Sequence, residues 1–339
     1  MLLTKGEAPS CDIILVMKEI TIDRNNAGQK VEKFVKNYLK EAPLGFIYKA
    51  FRKKDIKVNG RWVRKDAVLE EGDVLRIYVT DEQLKDFLLP KKVEKKNISY
   101  PIVYEDENIL IVNKPSGVMV VGDGKETRKT LAKEVVDYLY FKGEYDPSSG
   151  AFTPAPAHRI DRNTSGLVLF GKNDASLKAL TELFKNRENI RKTYFGLAKG
   201  EISQEGEIDK PLRKDSSKGM VYVCSVEKGG KEAKTKYRPV QFFKGFTLLE
   251  LELLTGRTHQ IRVHLASIGH PLVGDGKYGD FETNRFFKSH VGFDHQFLHA
   301  AKIQLGKITG ALSYLSDKSF EAPFSKEETK VLSSLEKLS

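Results

Sequence analysis

Four short apolar runs constrain what this chain can fold into. ILIV (109–112), GLVLF (166–170), YFGLA (194–198) and FTLLELELL (246–254) have strand length and are rich in branched and aromatic residues. Only a few helical patterns lie between them. One is DASLKALTELFKN (174–186), with Leu177, Leu180 and Phe184 on one stripe; another is SKEETKVLSSLEKL, opened by a Ser325-x-x-Glu328 capping box. Strands that do not alternate regularly with helices predict an α+β domain on a mostly antiparallel, mixed sheet from Tyr100 onward. No fixed-period repeat points to a solenoid.

The first eighty residues have a different texture. VMKEITID (16–23) reads as a strand, followed by the loop RNNAGQ. In 31–40, Val31, Phe34, Val35, Tyr38 and Leu39 recur at helical spacing and make one apolar stripe. A second helix is expected over 44–54 after Pro43, ending in Arg52, Lys53 and Lys54. IKV-NG-RWV reads as a hairpin whose Asn59-Gly60 turn needs positive φ at both residues, and EEGD (70–73) turns into the strand VLRIYV. The expected organisation is an N-terminal strand and extension (1–27), a small αα-β-hairpin domain (28–80), a linker (81–99) and a larger domain (100–339). The linker expectation rests on Pro90, the run KKVEKK (91–96) and a lack of apolar periodicity.

Charge narrows the partners. The chain carries 57 basic and 46 acidic side chains, a net +11, and residues 28–79 alone hold 13 basic and 7 acidic ones. That excess favours polyanions: RNA, DNA or an anionic membrane surface. Against the membrane, no stretch approaches the roughly 18 apolar residues of a spanning helix. IILVM (13–17) is too short for a signal-peptide core and follows Asp12. Two cysteines, Cys11 and Cys224, make neither a disulfide framework nor a zinc site. The expectation is a cytoplasmic protein, a monomer, that meets nucleic acid and not a membrane.

Three constellations carry candidate chemistry. In HRIDRNTSG (158–166), Asp161 lies on a loop feeding the buried run GLVLF, and loops held by rigid strands are where catalytic groups tend to sit. Arg159 and Arg162 flank it and suit phosphates on either side of a bound nucleotide; a surface ion-pair cluster fits the same letters. In TGRTHQIRVHLASIGHP (255–271), Thr258 can cap a helix ending at Gly269. Ile261, Leu265 and Ile268 form its apolar stripe, with His259 and Arg262 on another face. Arg262 could reach a carboxylate on a neighbouring loop. At an effective dielectric of about 20, charges about 4 Å apart attract by about 4 kcal/mol before desolvation. A capped amphipathic helix with two solvated polar residues is the alternative. In RKTYFGLAKG (191–200), alternation sets Thr193, Phe195 and Leu197 on one strand face and Tyr194, Gly196 and Ala198 on the other. Small neighbours leave room over the Tyr194 ring for a flat ligand such as a base, though a half-buried core tyrosine fits equally. GDGKYG (274–279) matches a dinucleotide fingerprint only by letter and reads as a turn; VGDGK (121–125) lacks P-loop spacing. No H-E-x-x-H occurs. The chemistry is therefore expected to need no cofactor and no metal.

HRIDRNTSG, KTYFGLAKG and LLTGRTHQIRVHLASIGHPLVGDGKYG, in that order, closely resemble the RluA-type pseudouridine synthase family. The likeness spans about residues 100–325, including KPSG (114–117) and FLHAAKIQL (297–305), and 28–79 resembles an S4 RNA-binding domain in FRKKDIKVNG and LEEGD. The resemblance implies an enzyme that flips a uridine out of RNA, breaks its N-glycosidic bond, turns the uracil and rejoins it through C5. Large-subunit ribosomal RNA is the substrate it points to. It further implies that Asp161 is the catalytic aspartate and Arg262 the basic residue paired with it. Tyr194 would stack on the base and assist a proton transfer, Arg159 would replace the flipped base in the helix, and Ile261 would line the pocket. Arg162, Arg257 and His259, with Arg52, Lys53 and Lys54 of the small domain, complete the expected RNA contacts. Ile160 and Asn163 replace the commoner Leu and Asp, and 141–154 diverges from the family pattern. Two rival functions remain: a non-catalytic S4-type RNA-binding or ribosome-assembly factor, and an RNA-cleaving enzyme using His158 and His259.

Overall fold

The structure is a computed structural model describing residues 15–23, 26–39, 41–88, 98–122, 130–146 and 152–337. The run 91–96, most of 121–125 and the centre of the divergent segment 141–154 lie outside the described residues. Contacts divide the chain into two units: 1–96 with 139–153, and 97–138 with 154–339.

The small unit contains β1 (Leu15–Thr21), α1 (Val31–Tyr38), α2 (Leu44–Lys53), β2 (Ile56–Val58), β3 (Arg61–Trp62), β4 (Val74–Thr80) and α3 (Asp81–Leu88). Its sheet runs β1-β4-β2-β3, all antiparallel. The stripe on α1 is buried, as its spacing requires, against Ile47, Ala50 and Phe51 of α2 and Leu75, Ile77 and Val79 of β4. Asn59 and Gly60 take φ of 50° and 76°, the pair of positive values that a tight hairpin demands. Two expectations change. β1 pairs with β4 along its whole length, so the N-terminal strand is part of this sheet and not an extension. Residues 81–88 are helical, not linker: Leu84 and Phe87 of α3 pack on the small core, and the Phe87 ring sits 4.5 Å from that of Phe46. Two anchors in one short helix give too little periodicity to stand out in sequence.

The larger unit opens with β5 (Ile102–Glu105), β6 (Ile109–Lys114), the part of α4 (Leu131–Phe141) up to residue 138, β7 (Ala155–Pro156), β8 (Ser165–Gly171), α5 (Asp174–Asn186) and β9 (Ile190–Lys199). It continues with β10 (Gly206–Asp209), β11 (Leu212–Asp215), β12 (Met220–Val223), β13 (Lys234–Phe243) and β14 (Phe246–Leu253). It closes with α6 (Gln260–Ser267), α7 (Phe281–His290), β15 (Leu298–Leu305), β16 (Ser319–Glu321) and α8 (Lys326–Glu336). A ten-stranded sheet follows the order β10-β13-β14-β9-β15-β8-β6-β5, with β16 on β15 and β7 on β8. Every pairing is antiparallel except β15 with β8, so the sheet is mixed and mostly antiparallel, as expected. The four apolar runs are β6, β8, β9 and β14, all interior to this order. β8, buried at every position, sits between β6 and β15.

Candidate active site

The loop from β7 to β8 carries HRIDRN. It is closed by a turn in which Thr164 N–H donates to Asp161 O, 3.1 Å. Thr164 and Ser165 are then buried, and Ser165 Oγ meets His299 Nδ1 of β15 at 2.8 Å and donates to Glu328 of α8. Gly166 has φ +110°, and a Cβ there would stand 2.2 Å from Ala300 O. Only glycine lets β8 approach β15 this closely. Thr-Ser-Gly therefore anchors the end of the Asp161 loop to the middle of the sheet.

Lys114 fixes the other side. Its side chain is fully buried, and Nζ donates to the carbonyls of Pro115, Val118 and Arg162, each at 2.9 Å. Three acceptors take the three donors of an ammonium. Burial pushes the Lys114 pKa down to about 7, against the charges of Asp161 and Glu328. The KPSG lysine thus staples the backbone one residue after Asp161. Arg162 turns away, donating through Nε to Gly117 O at 3.0 Å, and does not line the cavity described below.

Asp161 Oδ2 accepts from Arg262 Nη1 at 2.9 Å. No protein donor to Oδ1 is found among the described residues. Arg262, only 6% exposed, gives its Nε and Nη2 to Asp275 at 2.7 and 2.8 Å. Asp275 is 1% exposed and accepts further from Lys277 N and Tyr278 N. Burial alone would raise the Asp275 pKa; the Arg262 guanidinium outweighs it and holds the carboxyl below its usual range. Burial likewise opposes the charge on Arg262, and the two carboxylates overcome it. The result is a buried Asp275–Arg262 pair whose remaining guanidinium edge is aimed at Asp161.

Asp275 was not among the residues expected from sequence. GDGKYG is a turn, as read, but the turn's task is to place this carboxylate beneath Arg262 and Tyr278 beside it. Tyr278 takes Val221 N–H at 2.8 Å, meets His259 Nδ1 at 2.9 Å, and has the Arg262 guanidinium 5.2 Å over its ring. The start of α6 also differs from the sequence expectation. Thr258 does not cap it. His259 occupies the N-cap with φ 53° and no side-chain cap, which directs its ring to Tyr278 and sets Nε2 3.9 Å from Asp161. Gln260, 2% exposed, closes the turn by accepting from Thr255 Oγ1 and Arg257 N and donating to Lys234 O. Arg262 is buried rather than solvated.

Tyr194 on β9 is 7% exposed, paired across the sheet with Leu251 and Ala300. Burial, with the charge of Asp161 behind it, pushes its phenol well above the ordinary range, so the hydroxyl keeps its proton near neutrality. Arg159, Asp161, Tyr194, Arg257, His259, Ile261 and Arg262 line one cavity of about 220 Å³. That is below the roughly 300–1,000 Å³ of drug-sized ligand sites and suits one base-sized group. Arg159 is exposed at it, and Arg257 donates to Glu232 O. His158 also lines it, but as a fixed acceptor: Nε2 takes Leu169 N–H, the ring stacks on Phe184, and burial pushes its pKa down to about 3. With its Nε2 taken by Leu169 N–H and its charged form disfavoured by burial, His158 does not fit the acid–base pair of the RNA-cleaving alternative. Among the described residues no cluster could hold a metal, and no helix is long and apolar enough to cross a membrane.

The Asp275–Arg262 pair makes a stability prediction. Asp275→Asn removes the buried carboxylate that takes two of the Arg262 hydrogen bonds and should cost about 3 kcal/mol. The sign with pH follows from the lowered pKa. The contribution is full above the unfolded value of about 4 and is lost as pH falls through the folded one. Urea unfolding of both proteins from pH 7 to pH 3 checks this. A gap that stays constant across that range would contradict it.

Known proteins are similar to this chain in sequence and in fold. Residues 108–267 match the RNA pseudouridylate synthase family. The chain is 34% identical over 289 residues to ribosomal large subunit pseudouridine synthase C of Vibrio parahaemolyticus, covering 84% of this chain and 87% of that protein. It is 31% identical to the protein of the same name from Escherichia coli K12, covering 88% and 90%. Among solved structures, human RNA pseudouridylate synthase domain containing 4 shares the fold with TM-score 0.54 at 22% identity, over 69% of this chain and 92% of that one. The chain belongs to the RluA-type family of RNA pseudouridine synthases: it is an isomerase acting on RNA.

Proposed function

We propose that this protein converts specific uridines of large-subunit ribosomal RNA to pseudouridine, as a cytoplasmic monomer. The observation that carries the reading is the Asp161–Arg262 pair, 2.9 Å, opening on a base-sized cavity that Tyr194 also lines. The names of its relatives support the choice of RNA. Asp161 acts directly on the flipped nucleotide through the oxygen Arg262 leaves free. Arg262 holds it in place, and Tyr194 stacks on the base and supplies a proton. Arg159 takes the place of the flipped base in the RNA helix, Arg257 meets the RNA backbone, and His259 and Ile261 line the cavity. The small unit, with 28–80 as its S4-like part, holds RNA through Arg52, Lys53 and Lys54, which are exposed at the end of α2. The test is release of tritium from uracil C5 in a transcript of large-subunit ribosomal RNA, with mapping of pseudouridine in cells with and without the protein. Identical maps would reject this substrate.

Two further outcomes follow. Arg159 is exposed, lines the cavity and has no partner among the described residues. A guanidinium there fills the gap left by a flipped base, whose unstacking costs a few kcal/mol in a duplex. Arg159→Ala should therefore lose about tenfold more activity on paired than on unpaired target RNA. Equal losses would leave it only a phosphate contact. Replacing Arg52, Lys53 and Lys54 together by Gln should flatten the salt dependence of RNA binding by about one to three units of log–log slope. Turnover on a short RNA should be retained; an unchanged slope would remove these three from the interface.

A further inference from the structure

Lys192 sits two residues before Tyr194 on β9, on the same face and roughly 7 Å along the strand. It lines the same cavity and is 8% exposed. Among the described residues its ammonium has no carboxylate and no carbonyl partner; the one contact is the Phe184 ring, 6.0 Å away. Its neighbours add to the positive charge. Arg187 lines the cavity from the end of α5, where it holds a left-handed φ of 64° that glycine usually takes. Its side chain also lacks a partner among the described residues. His158, beside them, is neutral.

A buried ammonium without a counter-ion is costly and persists only where something supplies the missing charge. The other buried cations around the site have their partners: Lys114, behind the Asp161 loop, its three carbonyls, and Arg262, in the cavity wall, its two aspartates. A neutral uracil cannot repay the desolvation, whereas an anion can. We propose that Lys192, backed by Arg187, is the seat of an RNA phosphodiester next to the flipped uridine, a contact made only once the nucleotide has entered the cavity. This rests on the isomerase reading above. It makes Lys192 a positioning residue that sets how the sugar lies against Asp161. Burial holds the Lys192 pKa down to about 8, with Arg187 adding to the effect, as for an amine that awaits its anion.

The test uses the full chain and a transcript of large-subunit ribosomal RNA labelled with tritium at uracil C5. Lys192→Met keeps the length of the side chain and removes the charge; Lys192→Arg keeps the charge. Single-turnover tritium release is followed across salt concentration, with circular dichroism to confirm folding. Loss of a charge-assisted contact should lower release efficiency by about 10- to 100-fold for the Met variant. It should also reduce the salt slope of that efficiency by about one unit. The Arg variant should recover the slope and most of the efficiency. A Met variant with the wild-type slope overturns the proposal, as does an Arg variant that folds but performs no better than Met. Equilibrium binding of the same transcript separates the two readings. A slope lost there on Lys192→Met, with no tritium release by the wild-type protein, keeps the phosphate site and rejects this RNA as the reaction's substrate.

Discussion

Asp161→Asn should fold, bind target RNA within about tenfold of the wild-type protein, roughly 1.4 kcal/mol, and form no detectable pseudouridine. The structure gives reasons for each part. Arg262 keeps both hydrogen bonds to Asp275 when the Asp161 charge is removed, so no buried guanidinium is stranded. The loop is held by Lys114 at the Arg162 carbonyl and by the Asp161–Thr164 turn, both of which use the backbone. The Asp161 side chain is itself 26% exposed to the cavity, and an amide fits in its place. What goes is the charge and the oxygen proposed to act on the nucleotide. Binding can tighten slightly, since a negative charge near phosphate has gone. The measurement pairs equilibrium RNA binding with nucleoside analysis under single-turnover conditions. Substantial product, with deamidation back to Asp excluded by mass spectrometry, would sink the assignment. Joint loss of folding and binding would instead make Asp161 a structural ion-pair partner.

The parts of this site that were legible in sequence are those that carry their meaning locally. Asp161, Tyr194 and Arg262 stand in long ordered motifs, and alternation placed Tyr194 on its face of β9 without any structure. The helix α8 and its capping box lie where their spacing requires. Short polar strands such as β10 (GEID) and β11 (LRKD) were not legible, because their burial comes from neighbours distant in sequence. β13 was hidden for another reason: Pro239 interrupts it and charged residues alternate along it, and the ladder absorbs the proline at a register shift. Asp275 and Lys192 show the same limit in the site. A carboxylate in a glycine-rich turn and a lysine in a strand acquire significance only when the chain brings them to Arg262 and to the cavity. Each is recognisable by one physical anomaly, an ionic group removed from water, which sequence alone does not display.

Tyr194→Phe should leave RNA affinity nearly unchanged and lower the single-turnover rate by roughly two to four orders of magnitude. The ring stays: Tyr194 is 7% exposed on β9, in register with Leu251 and Ala300, and phenylalanine has the same ring. Only the hydroxyl is lost. Burial and the charge of Asp161 both disfavour the phenolate, so the resting hydroxyl is protonated near neutrality, the form that the proposed proton donation requires. Two consequences can be measured together. Across pH 6 to 9 the wild-type rate should show no ionisation belonging to Tyr194, because the folded phenol titrates above its ordinary value of about 10. A rate that rises with a pKa near 9 and loses that rise in the Phe variant would make Tyr194 a base and contradict the electrostatics of the site. Near-normal turnover of the Phe variant would confine Tyr194 to stacking, and the proton would then have to come from elsewhere in the cavity, with His259, 3.9 Å from Asp161, the next group to substitute.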